Sequence, residues 1–192
     1  MTLSISIHVN IRPMREEDIA QVHAIDKLSF NMPWPESSYR FELFDNDASF
    51  LWVAETNLPA GSQVIGMIVV WIIQDEAHIA TIAVHSDYRK RGIGKLLLAT
   101  ALQAVIQRGA SLATLEVRSL NKIAQKMYLD FGFSVVGNRP HYYRDNNDDA
   151  LIMTVNGLDQ HYYKWLNEQF SGSGSDQGRV TEARYIKGLL VL

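Results

Sequence analysis

The sequence of 192 residues lacks several features that define large classes of proteins. It contains no cysteine, which excludes disulfides, thiolate metal sites and a cysteine nucleophile and fits a reducing compartment. No apolar run approaches the roughly 18 residues of a membrane-spanning helix, and the N-terminus lacks the basic region and long apolar core of a signal peptide. The formal net charge is −3, so no overall electrostatic attraction to nucleic acid is indicated. We expect a cytoplasmic protein with no membrane, nucleic-acid or metal partner.

The pattern of apolar residues predicts an α/β (α+β) fold. Period-two alternation and short apolar runs predict strands, and helical spacing between capping signals predicts helices. Three consecutive strands with short turns indicate an antiparallel meander, so the sheet should be mixed and mostly antiparallel, with helices on both faces. The predicted strands are 5–11, 50–56, 64–73, 78–84, 112–117, 133–136 and 150–155, and the predicted helices are 14–30, 36–44, 92–108 and 121–131.

The chain is predicted to divide into three segments. Residues 1–157 contain all the elements above and form the predicted domain. Residues 158–170 are predicted to form an amphipathic helix. The Ser-Gly repeat after it is typical of a flexible linker, and the chain ends in an apolar Gly-Leu-Leu-Val-Leu. The role of this linker and tail, 171–192, is left open between docking on the domain, docking on a partner, and disorder.

A basic turn with two glycines follows the fourth predicted strand. The stretch 82–94 reads IAVHSDYRKRGIG and leads into a helix that is apolar almost all round. The first backbone N–H groups of a helix have no partner within it and carry partial positive charge, so this helix start suits a pyrophosphate. Gly92 and Gly94 let phosphate oxygens approach the backbone, where a Cβ would obstruct them. Taken alone, the turn is also consistent with a solvated basic cap.

A second motif, about twenty residues further on, resembles that of a known family. Together with the Arg-x-x-Gly-x-Gly turn it is similar to the GNAT superfamily of N-acetyltransferases, closest to the ribosomal-protein-alanine (RimI) and archaeal amino-terminal acetyltransferases. The resemblance covers about residues 9–156. It implies the GNAT fold, acetyl-CoA as co-substrate and a protein N-terminal α-amine as acceptor, with a ribosomal protein as one candidate. The motif consists of Leu115-Glu-Val-Arg, Asn121, Ala124, Tyr128 and Gly132-Phe133.

The resemblance implies roles for two groups of residues on the acetyl-CoA side. The strand backbone at Ile82, Ala83 and Val84 would pair with the pantetheine amides, which requires no particular side chain. Asn121 would contact the CoA arm as well as capping its helix. The turn would hold the pyrophosphate through Arg89, Lys90, Arg91, Gly92, Ile93, Gly94 and Lys95.

Two residues match the family's acid and base. Glu116 corresponds to the proposed base, and a carboxylate within reach of the amine, directly or through one water, can take its proton. Tyr128 would lie near the thioester sulfur, where its hydroxyl can donate to the leaving thiolate. The alternatives are structural: Glu116 paired with Arg118 or facing solvent, and Tyr128 a core aromatic with a satisfied hydroxyl.

His78 is a third candidate for the chemistry. In the archaeal and eukaryotic relatives the corresponding histidine is thought to share a water with the base. Strict alternation along the strand places His78 on the same face as Ile82 and Val84, where it could point at the cleft. The alternative is a structural histidine in the sheet.

Two segments are interpreted as the acceptor side. The proline-interrupted loop between the first two helices, with the start of the second helix, would wall the acceptor's first residue. Paired tyrosines in the closing hairpin would bracket its backbone. One of the set, Glu36, is a rival or auxiliary base, and all of them could instead be packing residues. The set is Met32, Trp34, Glu36, Tyr39, Tyr142 and Tyr143.

Three activities are compatible with these features. The first is N-terminal acetylation by direct attack of the amine on acetyl-CoA, with the preference for Ala, Ser or Met as first residue left open. The second is a GNAT enzyme that acetylates a small-molecule amine or a lysine, since the cofactor-side motifs are common to all. The third is a module that binds acetyl-CoA without turnover. We expect a monomer or weak dimer.

Overall fold

Seven strands form a single sheet in the computed structural model, which describes residues 8–59 and 61–170. The strands are β1 (Val9–Pro13), β2 (Ser49–Leu58), β3 (Gly61–Ile73), β4 (Glu76–Val84), β5 (Leu112–Arg118), β6 (Ser134–Tyr143) and β7 (Asp148–Asn156). The helices are α1 (Ile19–Ser29), α2 (Glu36–Phe44), α3 (Ile93–Ile106), α4 (Lys122–Asp130) and α5 (Gln160–Phe170). The spatial order of the strands is β1-β2-β3-β4-β5-β7-β6. The predicted order of elements and the mixed sheet are confirmed.

The parallel pairing of β4 with β5 is short and leaves one strand edge open. The other neighbouring strands pair antiparallel, whereas β4 and β5 pair in parallel from Glu76–Leu112 to Ile79–Leu115. Beyond Ile79, β4 stays paired with β3 as far as Val84 but has no strand on its other side within the described residues. The two strands therefore separate, and the second half of β4 presents backbone N–H and C=O groups along a wedge-shaped opening.

A β-bulge in β4 changes which side chains share a face. The register with β3 shifts at Ala80, which is an extra residue on β4, and such a bulge shifts the two-residue alternation by one. His78 lies opposite Trp71 and stacks on it, while Ile82 and Val84 pack into the core on the other face of the sheet. The prediction that His78 shares a face with Ile82 and Val84 is wrong, because strict alternation does not hold across the bulge.

The core forms two layers, one on each face of the sheet. Helices α3, α4 and α5 cover one face, where Leu97 and Phe131 are fully buried. Helices α1 and α2 cover the other face, around residues such as Met67. Gly66 on β3 allows α3 to pack closely, since a Cβ there would lie 3.1 Å from both Ala83 O and Leu97 Cδ1. Burial of each large apolar side chain contributes about 1.5–3 kcal/mol, so both layers hold the sheet.

Helix α5 packs on the α3 and α4 layer. Phe170 stacks on Phe131 with ring centroids 4.8 Å apart, and the Tyr162 hydroxyl donates to Phe131 O at 2.6 Å. A helix is observed within the predicted segment 158–170, whereas the division of the chain into a domain, this helix and a tail stays a prediction. The predicted tail, 171–192, and the start of the predicted strand 5–11 lie outside the described residues.

The predicted bounds differ most from the observed ones in α1 and β6, while α2 has its predicted bounds. Helix α1 begins at Ile19 rather than at residue 14, because the Asp18 carboxylate binds Arg12 and the Arg15 N–H and holds the preceding residues in a 3₁₀ turn. Strand β6 extends well past the predicted 133–136, because it continues to pair with β7. It includes Pro140, which a strand tolerates at the edge of a sheet.

No helix in the described part of the chain is long and apolar enough to cross a membrane. The cytoplasmic location and the monomer or weak dimer stay predictions.

Candidate active site

The turn after β4 ends in a helix start with free backbone N–H groups. Gly92 adopts a φ of +82° directly before α3, a conformation that side chains disfavour. No side chain within the described residues caps this end of α3, so the N–H groups of Ile93, Gly94 and Lys95 have no partner in the helix. Nothing lies within 4 Å of the position that a Gly92 Cβ would occupy. This backbone arrangement can bind a phosphate group.

Three of the four cations of the basic turn contact other groups of the protein. Arg89 Nε donates to Val84 O at 2.9 Å, and a terminal Arg89 nitrogen donates to Ser29 Oγ at 3.0 Å. Arg89 therefore ties the end of β4 to the last residue of α1. The other cations are Arg91, which donates to the backbone of Asp87, Lys95, which pairs with Asp130 at 2.8 Å, and the exposed Lys90.

The open edge of β4 carries the predicted pantetheine-binding stretch, 82–84. Because His85 N–H donates to Ile65 O on β3, alternation turns the backbone of Val84 to the open side. On α4, Asn121 Oδ1 accepts a hydrogen bond of 3.1 Å from the N–H three residues later. The predicted N-cap is confirmed, while the contact of Asn121 with CoA stays a prediction.

Glu116 lies close to where β4 and β5 separate, and both of its carboxylate oxygens have partners. Oε2 is 3.2 Å from His78 Nε2 on β4, and Oε1 is 3.2 Å from an Arg139 nitrogen on β6. The Glu116 side chain is 14% exposed and that of His78 is 27% exposed. The carboxylate is therefore sheltered but reachable. The structure brings the two predicted residues together and adds Arg139.

Arg118 belongs to a cluster that joins the α1–α2 loop to the β6–β7 hairpin. It binds both carboxylate oxygens of Asp145, at 2.8 and 2.9 Å, and its guanidinium carbon lies 3.8 Å from the centre of the Tyr143 ring. Asp145 also accepts a hydrogen bond of 2.6 Å from Asn31 Nδ2. The bonds from Asn31 and Arg118 hold the pKa of the Asp145 carboxyl below its usual range. The alternative pairing of Glu116 with Arg118 is not observed.

Tyr128 lies on α4, on the opposite face of the sheet from Glu116. Its ring is buried and tilted against Phe133, with centroids 5.8 Å apart. Burial raises the pKa of Tyr128, and the nearby Tyr143 adds to the rise. Burial also raises the pKa of Tyr143 to about 12, against the opposing charge of Arg118. Both phenols keep their protons at neutral pH and can donate hydrogen bonds.

Stacked aromatic rings form a wall beside His78. Trp71 stacks on His78 with centroids 5.6 Å apart, and Trp34 stacks on Trp71 at 6.2 Å. The indole Nε1–H of Trp71 donates to Glu42 at 2.8 Å. The backbone N–H of Trp34 donates to the buried Asp26 carboxylate at 2.6 Å. The wall therefore connects the predicted acceptor residue Trp34 to His78.

The other predicted acceptor residues are less closely connected to the Glu116 carboxylate. Tyr39 is fully buried with its ring 5.5 Å from that of Trp34, so it supports the wall and does not line the surface. Glu36 is 3.5 Å from His23 on α1 and is not a partner of Glu116. Tyr143 lies in the Arg118 cluster described above. The exposed members of the set are Met32, Glu36 and Tyr142.

The fold and this site define an N-acetyltransferase. A profile of the Acetyltransferase (GNAT) family matches residues 19–133, which is more than half of the chain. The protein therefore belongs to the GNAT family of acetyltransferases. The predicted family, fold and enzyme class are confirmed.

Several named proteins are similar to this chain over most of its length. A Bacillus subtilis protein provisionally named ribosomal protein bS18-alanine N-acetyltransferase is 37% identical over 145 residues, which cover 76% of this chain and 93% of the relative. An N-alpha-acetyltransferase of Sulfurisphaera tokodaii is 30% identical over 155 residues, 74% of this chain and 90% of the relative. The crystal structure of the ribosomal-protein-S18-alanine N-acetyltransferase from Escherichia coli has the same fold. It gives a TM-score of 0.70 at 24% identity, with 79% of this chain and 95% of that chain covered.

Three residues of the site were not indicated by the sequence. Trp71 fits an ordinary strand pattern, and Asp145 fits an ordinary polar turn. Arg139 falls in a segment whose Gly and Pro content argues against a strand. Its position beside Glu116 follows from the pairing of β6 with β7, which no local signal reveals.

Proposed function

We propose that this enzyme transfers an acetyl group from acetyl-CoA to the N-terminal α-amine of a protein. The observation that carries the proposal is the contact of Glu116 with His78, beside the wall of Trp34 and Trp71. On the other side, the Arg118 cluster ties the α1–α2 loop to the β6–β7 hairpin. Such walls suit an acceptor that continues out of the site, as a polypeptide does. The names of the bacterial relatives support a ribosomal protein with N-terminal alanine as the first acceptor to test.

The chain's own features fit acetyl-CoA, which supplies the activated acetyl group when it is bound. The open edge of β4 can pair with amide groups, and the uncapped N–H groups at the start of α3 can bind phosphate oxygens. The space beside Gly92 is clear of protein atoms. Arg89 contributes by holding the end of β4, whereas Lys90 and Arg91 remain the candidates for direct contact with phosphate.

Glu116 is the proposed base. An α-amine has an ordinary pKa near 8, so at neutral pH most of it is ammonium and must lose a proton before it can attack. The Glu116 carboxylate can take that proton directly or through one water. His78 contacts Oε2 of Glu116. There it orients the carboxylate and can share the water that takes the proton. Because the carboxylate is sheltered, its attraction for an ammonium is stronger than it would be in open water.

Tyr128 is the proposed acid. Its raised pKa keeps the phenol protonated, so it can donate a hydrogen bond or a proton to the leaving thiolate. No side chain needs to form a covalent bond with the acetyl group, which fits the absence of cysteine. The reaction then requires both substrates to be bound at once.

Three sets of acceptors test the proposal. The full-length protein is incubated with acetyl-CoA and peptides with a free N-terminus and no lysine, N-blocked peptides that contain lysine, or small amines. Released CoA thiol is measured, and mass spectrometry locates the acetyl group. We expect acetylation of the first set. Comparing the rates for peptides that begin with Ala, Ser or Met then shows which first residue the enzyme prefers. Acetylation confined to the second or third set would refute the N-terminal acceptor, and no thiol release in any set would indicate a binding module.

A further inference from the structure

Arg139 contacts the proposed base but has no role in the chemistry described above. One of its terminal nitrogens is 3.2 Å from Glu116 Oε1, and its guanidinium lies 5.6 Å from the centre of the Tyr142 ring. The Arg139 side chain is 54% exposed. His78, on the other oxygen, is less exposed and is stacked on Trp71. An ammonium that approaches Glu116 therefore displaces Arg139 more easily than His78.

The other charged groups around this pair have partners of their own. One terminal nitrogen of Arg118 donates to both carboxylate oxygens of Asp145, and Asp149 accepts bonds from Asn138 and the His141 N–H. Asp148 accepts a bond of 2.6 Å from Ser119. The titratable and charged groups that face the pair are His78 from β4, Arg118 from β5, His141, Tyr142 and Tyr143 from β6, and Asp148 and Asp149 from β7.

On the basis of the proposed function, we propose that Arg139 is a positioning residue that promotes deprotonation of the acceptor. In the free enzyme it holds the Glu116 carboxylate by an ion pair. When the acceptor ammonium takes its place, the displaced guanidinium stays on β6 beside the site. Its positive charge then disfavours the charged form of the amine, which therefore loses its proton at a lower pH.

The sign and size of the effect follow from electrostatics. A like charge within about 4–6 Å lowers the pKa of an ammonium, and the shift is smaller at an exposed position because water screens it. For a half-exposed arginine we expect the pKa of the bound amine to be lowered by about 0.5 to 1. Removal of the guanidinium therefore moves the rising limb of kcat to higher pH.

The experiment measures kcat against pH at saturating acetyl-CoA and acceptor for the wild type and three variants. Arg139→Gln removes the charge, and Arg139→Lys keeps it. Arg40→Gln is the matched control, since Arg40 also pairs with a carboxylate, that of Glu16, and is 53% exposed. Thermal unfolding of each variant checks that the fold is kept.

We expect the rising limb of R139Q to lie about 0.5 to 1 pH unit above that of the wild type, with kcat approaching the wild-type value at high pH. R139K should restore the wild-type profile, and R40Q should leave it unchanged. A loss of kcat in R139Q that is the same at every pH, or an unchanged profile, would overturn the proposal. The profile is recorded on whichever amine the wild type acetylates, so failure of the N-terminal acceptor is seen separately in the wild-type acceptor panel.

Discussion

The proposed acetyl-CoA side and the proposed acceptor side of this enzyme are built in different ways. The acetyl-CoA side is one continuous stretch from the open edge of β4 to the start of α3, and the groups it offers are mainly backbone N–H and C=O. The acceptor side is assembled from side chains on separate elements. Asn31 and Asp145, for example, are bonded across 114 residues of sequence.

This difference predicts different responses to mutation. Where backbone groups bind the ligand, removal of a side chain matters little, while a change in backbone conformation matters much. Where side chains from remote elements converge, each one can be removed separately, and the loss should appear in turnover or in acceptor binding. The acetyl-CoA affinity should stay constant in those variants.

The largest expected effect is that of Glu116→Gln on the acceptor side. The amide cannot take the proton of the ammonium, so kcat should fall by about 10²- to 10⁴-fold, while the affinity for acetyl-CoA stays within about two-fold. Steady-state rates and calorimetric titration with acetyl-CoA check both parts. Glu36→Gln is the comparison variant: if it abolished turnover and E116Q did not, Glu36 would be the base.

On the acetyl-CoA side, Gly92→Ala should weaken acetyl-CoA binding by about ten-fold, because a Cβ would occupy the space next to the proposed phosphate site. Gly109→Ala is the matched control, since Gly109 has a φ of +91° and no atom within 4 Å of its Cβ position. Both variants should lose about 1–2 kcal/mol of stability from the positive φ. Equal acetyl-CoA affinity in the two would contradict the phosphate site. Calorimetric titration with acetyl-CoA measures the affinity, and chemical unfolding measures the stability.

A smaller effect is expected for Asn31→Ala, which removes the bond between the α1–α2 loop and Asp145. A hydrogen bond to a charged group is stronger than one between neutral groups, so KM for the peptide should rise by roughly five- to ten-fold. Asn138→Ala is the control, since Asn138 also binds a carboxylate, that of Asp149, within its own hairpin. A similar rise in both variants would mean that the contact between the two segments is not what shapes the acceptor site.

Glu55→Gln should leave activity unchanged, because Glu55 belongs to neither side. Its two bonds to Arg12, at 2.9 and 3.0 Å, lower the pKa of Glu55 to about 2. A lowered carboxyl pKa stabilises the fold fully above the unfolded value near 4.5, and this contribution is lost as the pH falls towards 2. We expect E55Q to lose about 1–2 kcal/mol at pH 7, and the difference from wild type to shrink below pH 4.5 in urea titrations. A difference that stays constant down to pH 3 would argue against the ion pair.

Local signals were sufficient to predict the strand, turn and helix start of the proposed acetyl-CoA side. The glycines, the uncapped helix start and the apolar strand before it are near neighbours in sequence, and their geometry follows from helix and turn preferences. The same signals also predicted helix α2 with its observed bounds. Glu116 and Tyr128 were found through the family pattern, since a single glutamate in a strand has no distinguishing local feature.

The errors came from features that depend on pairing between strands. His78 was placed on the wrong face because the bulge at Ala80 appears only when β3 and β4 are in register. Strand β6 was cut short because its Gly and Pro content disfavours a strand, and pairing with β7 outweighs that preference. Arg139 was missed for the same reason.

The sequence by itself determined the family, the order of the elements, and the strand, turn and helix start that suit acetyl-CoA, because these follow from sequence motifs and from local helix, strand and turn preferences. The tertiary structure decided the surroundings of Glu116. His78, Arg139 and the Asn31–Asp145 bond reach their positions through strand register and loop contacts between distant segments. Their energies depend on burial and on the distance between charges, which only the folded chain defines.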